Sequence, residues 1–488
     1  MIAALVIALI LVLNVLLYVL VEVFGLYFYE STPDDLSISG NTDALFLPAI
    51  ERGEKVKITF CRSEDELKTD SIGAYVYTTA LEFRERYPEL IELEYVNIIT
   101  CFNSKGEFVP LQEYKTNEKK NPSGKLYSSS VIFESGENCR VMTDVYTTGG
   151  YADFFTLDAN RNAEAYNGEE VMAAMIAWVL ADEHKTAYFT QYHYETVDVA
   201  LSNLLTCAGY YINVIDLRKE EIPEDAALLV ISNPRTDFER AAEGADITVR
   251  TELERLESYM DRGGSVYVAL DPYVKRLPVL EGFLSRRGIS FATAEADTYS
   301  KNIVKDSENA ITTDGFTLVA DFAESPIGNA ISDKLSEYGD GGVLLRSAAA
   351  LKLDGVAKPL LLSSPSAVCE SGGKVVDSSG SFTIAAYSEE KTENGGASRL
   401  FVIPSVYIAA TDALVNREYQ NRNFIYALLG EFFGTGEQLY GCNAVLYDTE
   451  TLENLTMGTA RLYTALIMAV PVIVAAVGTV IIIRRKNR

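Results

Sequence analysis

The sequence predicts an α/β fold, with two α/β domains set between an N-terminal and a C-terminal transmembrane helix. Three observations predict it. Both ends are uncharged apolar runs of membrane-spanning length, whereas the interior is acidic. The interior alternates short strand-like runs with amphipathic helical runs. At 488 residues and 48% hydrophobic content, the chain is too long for one ordinary domain and suits two or three.

Composition excludes several classes of function. The net charge is −27, so the clustered cations that neutralise phosphates are not to be expected, and no nucleic-acid partner is expected. Six Cys are too few for a disulfide scaffold, and two His make a multi-histidine metal site improbable. No cofactor is expected.

Ile2 to Val21 carries no charge over twenty residues, and Leu462 to Ile483 none over twenty-two. At about 1.5 Å per residue either run crosses a bilayer core of about 30 Å. Arg484, Arg485, Lys486 and Arg488 follow the second run, so the positive-inside rule puts that tail in the cytoplasm. Two spans then put the N-terminus in the cytoplasm as well and everything between them outside. A cleaved signal peptide is the alternative for residues 1–21. The run is longer than a typical signal core, and no small-x-small cleavage site follows it. No Lys or Arg precedes Ile2, which fits a true start lying upstream.

Glu30 to Asp35 reads as a linker. Lys55–Cys61 is then a strand, Asp70–Tyr87 a helix and Glu89–Cys101 a second strand, together a right-handed βαβ unit with parallel strands. Residues 103–125 read as a surface loop, and two short strands follow near Ser130–Glu134 and Cys139–Asp144. Glu169–Leu180 is apolar on nearly every face after two acids, the pattern of a buried helix with anions at its N-terminus. From there the rhythm is strand Thr186–Thr190, helix Thr196–Ala208, strands Tyr211–Leu217 and Ala227–Ser232, helix Thr251–Arg262 and strand Ser265–Leu270. Helix Pro278–Arg287, ended by Gly288, and strand Ile289–Ala292 complete it. This rhythm predicts a doubly wound parallel sheet. Residues 295–355 lose it and read as an insertion. Ser381–Tyr387 and Arg399–Pro404 then pair as strands, Asn416–Phe433 is a long helix, and 443–448 is a last strand.

Motifs for phosphate loops, zinc proteolysis, thiol redox chemistry and nucleophile elbows are all absent. The candidate site residues are therefore few. His193 and Glu195 lie between a strand end and a helix start, where open α/β sheets bind ligands. They read either as a general base with its orienting carboxylate, or half a metal site, or as a polar loop residue beside a helix N-terminal charge. Asp271 closes a strand before Pro272, and reads as a ligand contact or a turn. Cys61 and Cys101 end the two strands of the βαβ unit, and read as a disulfide or as two buried thiols.

An ordered set of segments carries a family resemblance. KITFCRSEDEL, FRERYPELIELEYVNI, SVIFESGENCRVMT and NGEEVMAAMI come first. YFTQYHYE, PEDAALLVISNPRTDF, GGSVYVALDP and RLFVIPSVYIAATDALVNREYQNRNFIYALLGEFFG follow, with an apolar helix and basic end last. This order resembles the gliding-motility-type ABC-transporter auxiliary family (GldG-like proteins). The family often carries G-H-G-E where this chain has Tyr192-His193-Tyr194-Glu195. The resemblance implies that the second domain is a glutamine-amidotransferase-like variety of the doubly wound fold. It also implies a non-enzymatic, membrane-anchored, extracytoplasmic accessory subunit whose partners are a separate ABC permease and ATPase. It transfers no catalytic residue.

The expected divisions are a transmembrane helix over 1–24, an N-terminal extracytoplasmic α/β domain over 25–165, and a doubly wound α/β domain over 166–440 with an insertion near 295–395. A membrane-proximal segment over 441–461, a transmembrane helix over 462–483 and a basic cytoplasmic tail over 484–488 complete the chain. The rival readings are an envelope hydrolase using His193 and Glu195, and an envelope sensor or scaffold with no transporter.

Overall fold

The computed structural model describes residues 36–446, apart from 71, 118–119, 122–123, 144–153, 158–162, 196–198, 239–249, 295–296, 340, 394, 417, 435–440 and 443–444. Ser37–Leu446 forms one compact unit. Among the described residues no helix is long and apolar enough to cross a membrane. The two expected transmembrane segments, 1–24 and 462–483, lie outside the described residues, as does the linker over 30–35.

Helix α1 (Asp43–Glu51) precedes a first sheet built from β1 (Val56–Phe60), β2 (Ile91–Tyr95), β3 (Val131–Ser135) and β4 (Asn138–Met142) in the order β2-β1-β3-β4. Helices α2 (Glu64–Thr69) and α3 (Gly73–Arg86) connect β1 to β2, and the two strands pair in parallel as the βαβ reading predicts. Strand β2 is shorter than the expected Glu89–Cys101. The Asn97 carboxamide accepts from the N–H groups of Ile99 and Thr100 and turns the chain, so the apolar run that follows Tyr95 is a turn. Among its described residues the loop over 103–125 contains one short helix, α4 (Glu113–Thr116).

After β5 (Phe155–Leu157) and β6 (Ala163–Tyr166) comes α5 (Gly168–Leu180). It packs on β1, β3 and β4 with one face and on α6 (Val199–Cys207) with another. A helix covered from two sides needs apolar residues all round, which is how its sequence reads.

The main sheet takes β7 (Lys185–Thr190), β8 (Tyr210–Ile215), β9 (Ala226–Ser232) and, after α7 (Glu252–Asp261), β10 (Ser265–Ala269). Helix α8 (Pro278–Arg286) and the short strands β11 (Ile289–Phe291), β12 (Thr293–Ala294), β13 (Asp297–Lys301) and β14 (Ile303–Lys305) follow. Next come β15 (Thr317–Phe322), α9 (Pro326–Ser336), β16 (Val343–Arg346), β17 (Leu351–Leu353), β18 (Lys358–Leu362), β19 (Val368–Ser371) and β20 (Lys374–Asp377). The last elements are β21 (Thr383–Lys391), β22 (Ala397–Ile403), α10 (Thr411–Val415), α11 (Asn421–Ala427) and β23 (Val445–Leu446), which pairs with β6.

The sheet order is β16-β15-β18-β21-β22-β10-β9-β7-β8. Its half from β22 to β8 is parallel, as the strand–helix rhythm predicts. Its other half is antiparallel, so the expected all-parallel sheet is corrected to a mixed one. Much of the stretch read as an insertion, including β15, β16 and β18, extends this sheet. Strands β21 and β22 are joined by a short hairpin, whereas α9 lies between β15 and β16 without carrying the chain into a parallel crossover, so each of these pairs is antiparallel. Strand β11 lies off the parallel path and pairs antiparallel with β17.

Strand residues alternate between two cores. Leu228, Val230, Tyr267 and Phe401 face one core, which α6 and α11 cover. Leu229, Ile231, Val268 and Val402 face the other, which α7 and α8 cover. The parallel half is thus wound on both faces. The expected helix Asn416–Phe433 is broken. Asn416 accepts from the Glu418 N–H, and the helix starts only at Asn421, ending in a wider turn over Leu428–Phe432.

Gly288 closes α8 at φ +81°, and a Cβ there would sit 2.0 Å from the Asp354 carbonyl oxygen. Gly288→Ala is therefore expected to cost about 2–4 kcal/mol, read as a lower denaturant midpoint with an unchanged slope.

Candidate functional site

The parallel half of the sheet brings the ends of β7, β9 and β10 together, and the expected site residues are found there. Strand β7 ends at Thr190, and the chain turns through Gln191-Tyr192-His193-Tyr194-Glu195. Tyr192 (φ +84°) and Tyr194 (φ +56°) both occupy the left-handed region, a costly conformation for bulky side chains. The backbone thus has a conformation suited to glycine although the side chains are tyrosines.

This double reversal turns the His193 ring inward. Its side chain is 4% exposed and lies parallel to Phe238 at 4.4 Å. Nδ1 donates to Glu195 Oε1 at 3.2 Å, and Nε2 donates to Glu252 Oε2 at 3.1 Å. The Glu195 carboxylate also accepts from the His193 N–H at 2.6 Å. Glu252 opens α7, which Thr251 and Glu254 start with a reciprocal capping box. Burial works to lower the His193 pKa. The hydrogen bonds and charges of the two carboxylates outweigh it and raise the pKa to about 9. Burial likewise works to raise Glu195, and His193 holds it below its usual range. The imidazolium is thus the centre of a Glu195–His193–Glu252 clamp. Both ring nitrogens are occupied, so neither is positioned to take a substrate proton.

The clamp also ties two loops. The His193 carbonyl accepts from the N–H groups of Arg235 and Thr236, which follow β9. Asp271, after β10, receives Arg235 Nη1 at 3.3 Å, and its own N–H donates to Asn233 Oδ1 at 3.2 Å. Asp271 Oδ1 also accepts from the Tyr273 N–H at 2.9 Å, the turn that an Asp-Pro pair makes. Three candidates from separate parts of the sequence, His193, Glu195 and Asp271, therefore share one edge.

The outer surface of this edge carries aromatic rings and cations. Tyr192, Tyr194 and Tyr273 are exposed. The Arg218 guanidinium lies 4.4 Å above the Tyr192 ring, and the Lys219 ammonium 5.3 Å. Arg218 and Lys219 are held by Asp216, whose carboxyl these partners keep well below the usual carboxylate range. Aromatic and arginine side chains of this kind are enriched in protein contact surfaces. Among the described residues Tyr194 has no ring contact of this sort, so Tyr194→Gly is expected to relieve the turn. A gain of about 0.5–1 kcal/mol in unfolding free energy would remain after glycine's own entropic cost.

Cys61 and Cys101 join one small apolar cluster with Val96, Tyr114 and Ile132, and all six cysteines are free thiols. Burial pushes the Cys61 thiol up to about 12. Among the described residues no group of three or more His, Cys, Asp or Glu side chains is arranged to hold a metal ion.

Sequence reasoning missed Glu252, Asn233 and Arg235. Glu252 is 59 residues from His193. Its only local signal is the capping box that starts α7, which marks a helix and not a histidine partner. Asn233, at φ +56° after a buried strand, is the residue type that most often tolerates a left-handed turn there.

No family model matches the chain, and no curated protein matches it. Among solved structures it is similar to the mmIFT52 N-terminal domain, at 20% identity and TM-score 0.35, over 52% of this chain and 99% of that one. It is also similar to a ThuA-like protein from Bacteroides uniformis, at 13% identity and TM-score 0.29, over 51% and 92%. A third likeness is to PurLQS from Thermotoga maritima, at 11% identity and TM-score 0.27, over 51% and 99%. At TM-scores this low the likeness assigns neither a family nor an activity to this chain.

Proposed function

We propose that this chain is a membrane-anchored, extracytoplasmic, non-enzymatic accessory subunit of an ABC transporter, which uses its mixed α/β body to bind a partner. The observation that carries the binding half of this reading is the Glu195–His193–Glu252 clamp. The histidine stands where an α/β enzyme would place its chemistry, and there it serves as a buried tie between loops. Tyr192, Tyr194 and Tyr273 around it offer contact area without a reactive centre. On this reading the doubly wound half is a glutamine-amidotransferase-like scaffold turned to recognition. None of the chain's six cysteines lies on β7–β10 or β22.

The transporter half of the reading rests on the family resemblance and on the two terminal apolar runs with their basic end. Extraction from native membranes in a mild detergent, followed by capture of this chain, tests it. Co-recovery of an ATPase and a multi-helix permease in near-equal amounts is the expected result. Recovery of the chain alone, or with envelope proteins only, would overturn it in favour of a sensor or scaffold. The hydrolase reading requires His193 to lose a carboxylate partner before it can act as a base, and the clamp disfavours it.

A further inference from the structure

The segment Ala181-Asp182-Glu183-His184 runs directly from the end of α5 into β7, and so joins the helix that covers the first sheet to the main sheet. The first sheet holds the helix end firmly. Asn138, at the start of β4, donates its carboxamide N–H groups to the Val179 and Ala181 carbonyls at 3.1 and 2.9 Å. On the other side the joint is made by rings. The His184 imidazole lies flat on the Trp178 indole, with centroids 3.7 Å apart and planes 2° from parallel. Tyr211, on the edge strand β8, meets both rings edge-on at 5.1 and 5.7 Å.

This packing suits a neutral imidazole and not a charged one. His184 Nε2 and Trp178 Nε1 are both buried without a hydrogen-bond partner among the described residues. Their ring planes are parallel, so the in-plane nitrogens cannot bond each other. An imidazolium carries N–H on both nitrogens, and in this stack it would bury a charged donor with no acceptor. The charges nearby add to that cost. Arg140, on β4, has its guanidinium 5.2 Å from the Trp178 and Tyr211 rings and opposes a second cation beside them. Asp182 and Glu183, on the joint itself, are exposed, and Lys185 turns its ammonium to the Gly434 carbonyl at 2.9 Å. Burial first, and the Arg140 charge second, hold the His184 pKa below its usual 6.5.

We propose that the Trp178–His184 stack is an acid-released latch between the first sheet and the main sheet. The neutral ring keeps the end of α5 seated against β8. A proton taken by His184 moves the ring out of the stack into water and loosens the joint. The sign follows from linkage. The released ring binds its proton at the ordinary 6.5, and the stacked ring binds it only at lower pH. The latch therefore holds fully above that value and weakens as pH falls below it. The Glu195–His193–Glu252 clamp has the opposite sense, because acid keeps its histidine charged. Mild acid thus frees the joint while the edge of the main sheet stays tied.

The chain's one tryptophan is Trp178, so its emission reads the latch in the full chain in mild detergent. The probe is acrylamide, a neutral quencher whose access to the indole is compared at about pH 5 and about pH 7.5. The expected result is a quenching constant about twofold or more higher in acid, with a midpoint below 6.5 and unchanged helix content by circular dichroism. His184→Phe keeps a flat ring with no proton to take, and its quenching constant should not differ between the two pH values. His184→Gln, which also takes no proton, should be equally flat and guards against a phenylalanine that packs badly. A pH-independent constant in the parent chain, or the same acid rise in either variant, would overturn the proposal. So would emission that falls in acid with acrylamide access unchanged, since the ring would then be protonated without leaving the stack. The outcome does not depend on whether a transporter partner exists.

Discussion

His193→Ala is expected to lower the unfolding free energy by about 3–5 kcal/mol, because it removes the cation that Glu195 and Glu252 share in a buried site. The loss carries a pH signature. The folded state raises the His193 pKa from 6.5 to about 9, so the clamp contributes fully below pH 6.5. That contribution is lost as pH rises through about 9. Glu195, held below its usual 4.5, contributes above that pH and loses its contribution as pH falls. Stability from the clamp should therefore be flat between about pH 4.5 and 6.5. It should then decline by an amount on the order of 3 kcal/mol on the alkaline side. Urea midpoints measured across pH 5 to 10 should show this decline in the parent chain and not in His193→Ala. A parallel decline in both would mean that the histidine is not the titrating centre. Glu252→Gln in the His193→Ala background should recover part of the loss, since it removes one of the two opposed charges.

Arg422→Met should be comparably severe, at about 3–5 kcal/mol, for a related reason. Glu170 opens α5 and Arg422 and Tyr426 lie on α11, more than 250 residues later. Burial and the Glu170 charge push the Tyr426 phenol well above its usual pKa, so it stays neutral and donates to the carboxylate. With the arginine gone, Glu170 remains buried with the tyrosine and without its cation. The double variant Glu170→Gln, Arg422→Met should be markedly more stable than Arg422→Met alone, because the uncompensated charge is then absent. The chain has one tryptophan, Trp178, on the same helix α5, buried and stacked on the His184 ring at 3.7 Å. Its fluorescence reports the helix directly. Additive losses in the two single variants, with no recovery in the double variant, would refute the coupling.

Periodicity made most of the local elements legible. Leu228 to Ile231 alternate between two cores, and the Thr251–Glu254 pair starts a helix, whatever the rest of the chain does. The parallel βαβ unit and the parallel half of the main sheet follow from runs of this kind. The position of His193 at a strand end was equally visible in the sequence, because it depends only on where an apolar run stops. Local pattern does not state which strand a segment will lie beside, whether a hairpin or a helix such as α9 connects it. The antiparallel half of the sheet, with β15 and β16 at its edge, was therefore settled by long-range pairing alone. Two local signals were also overridden by side-chain hydrogen bonds to the backbone, at Asn97 after β2 and at Asn416 before α11. The sequence by itself determined that an acidic, α/β-patterned body stands between two apolar ends, because charge and hydrophobic period are properties of neighbours along the chain. Only the tertiary structure decided that His193 meets Glu252 and that Glu170 meets Arg422. Such a charge becomes expensive or useful only when folding removes it from water, and its partner is chosen by proximity in space.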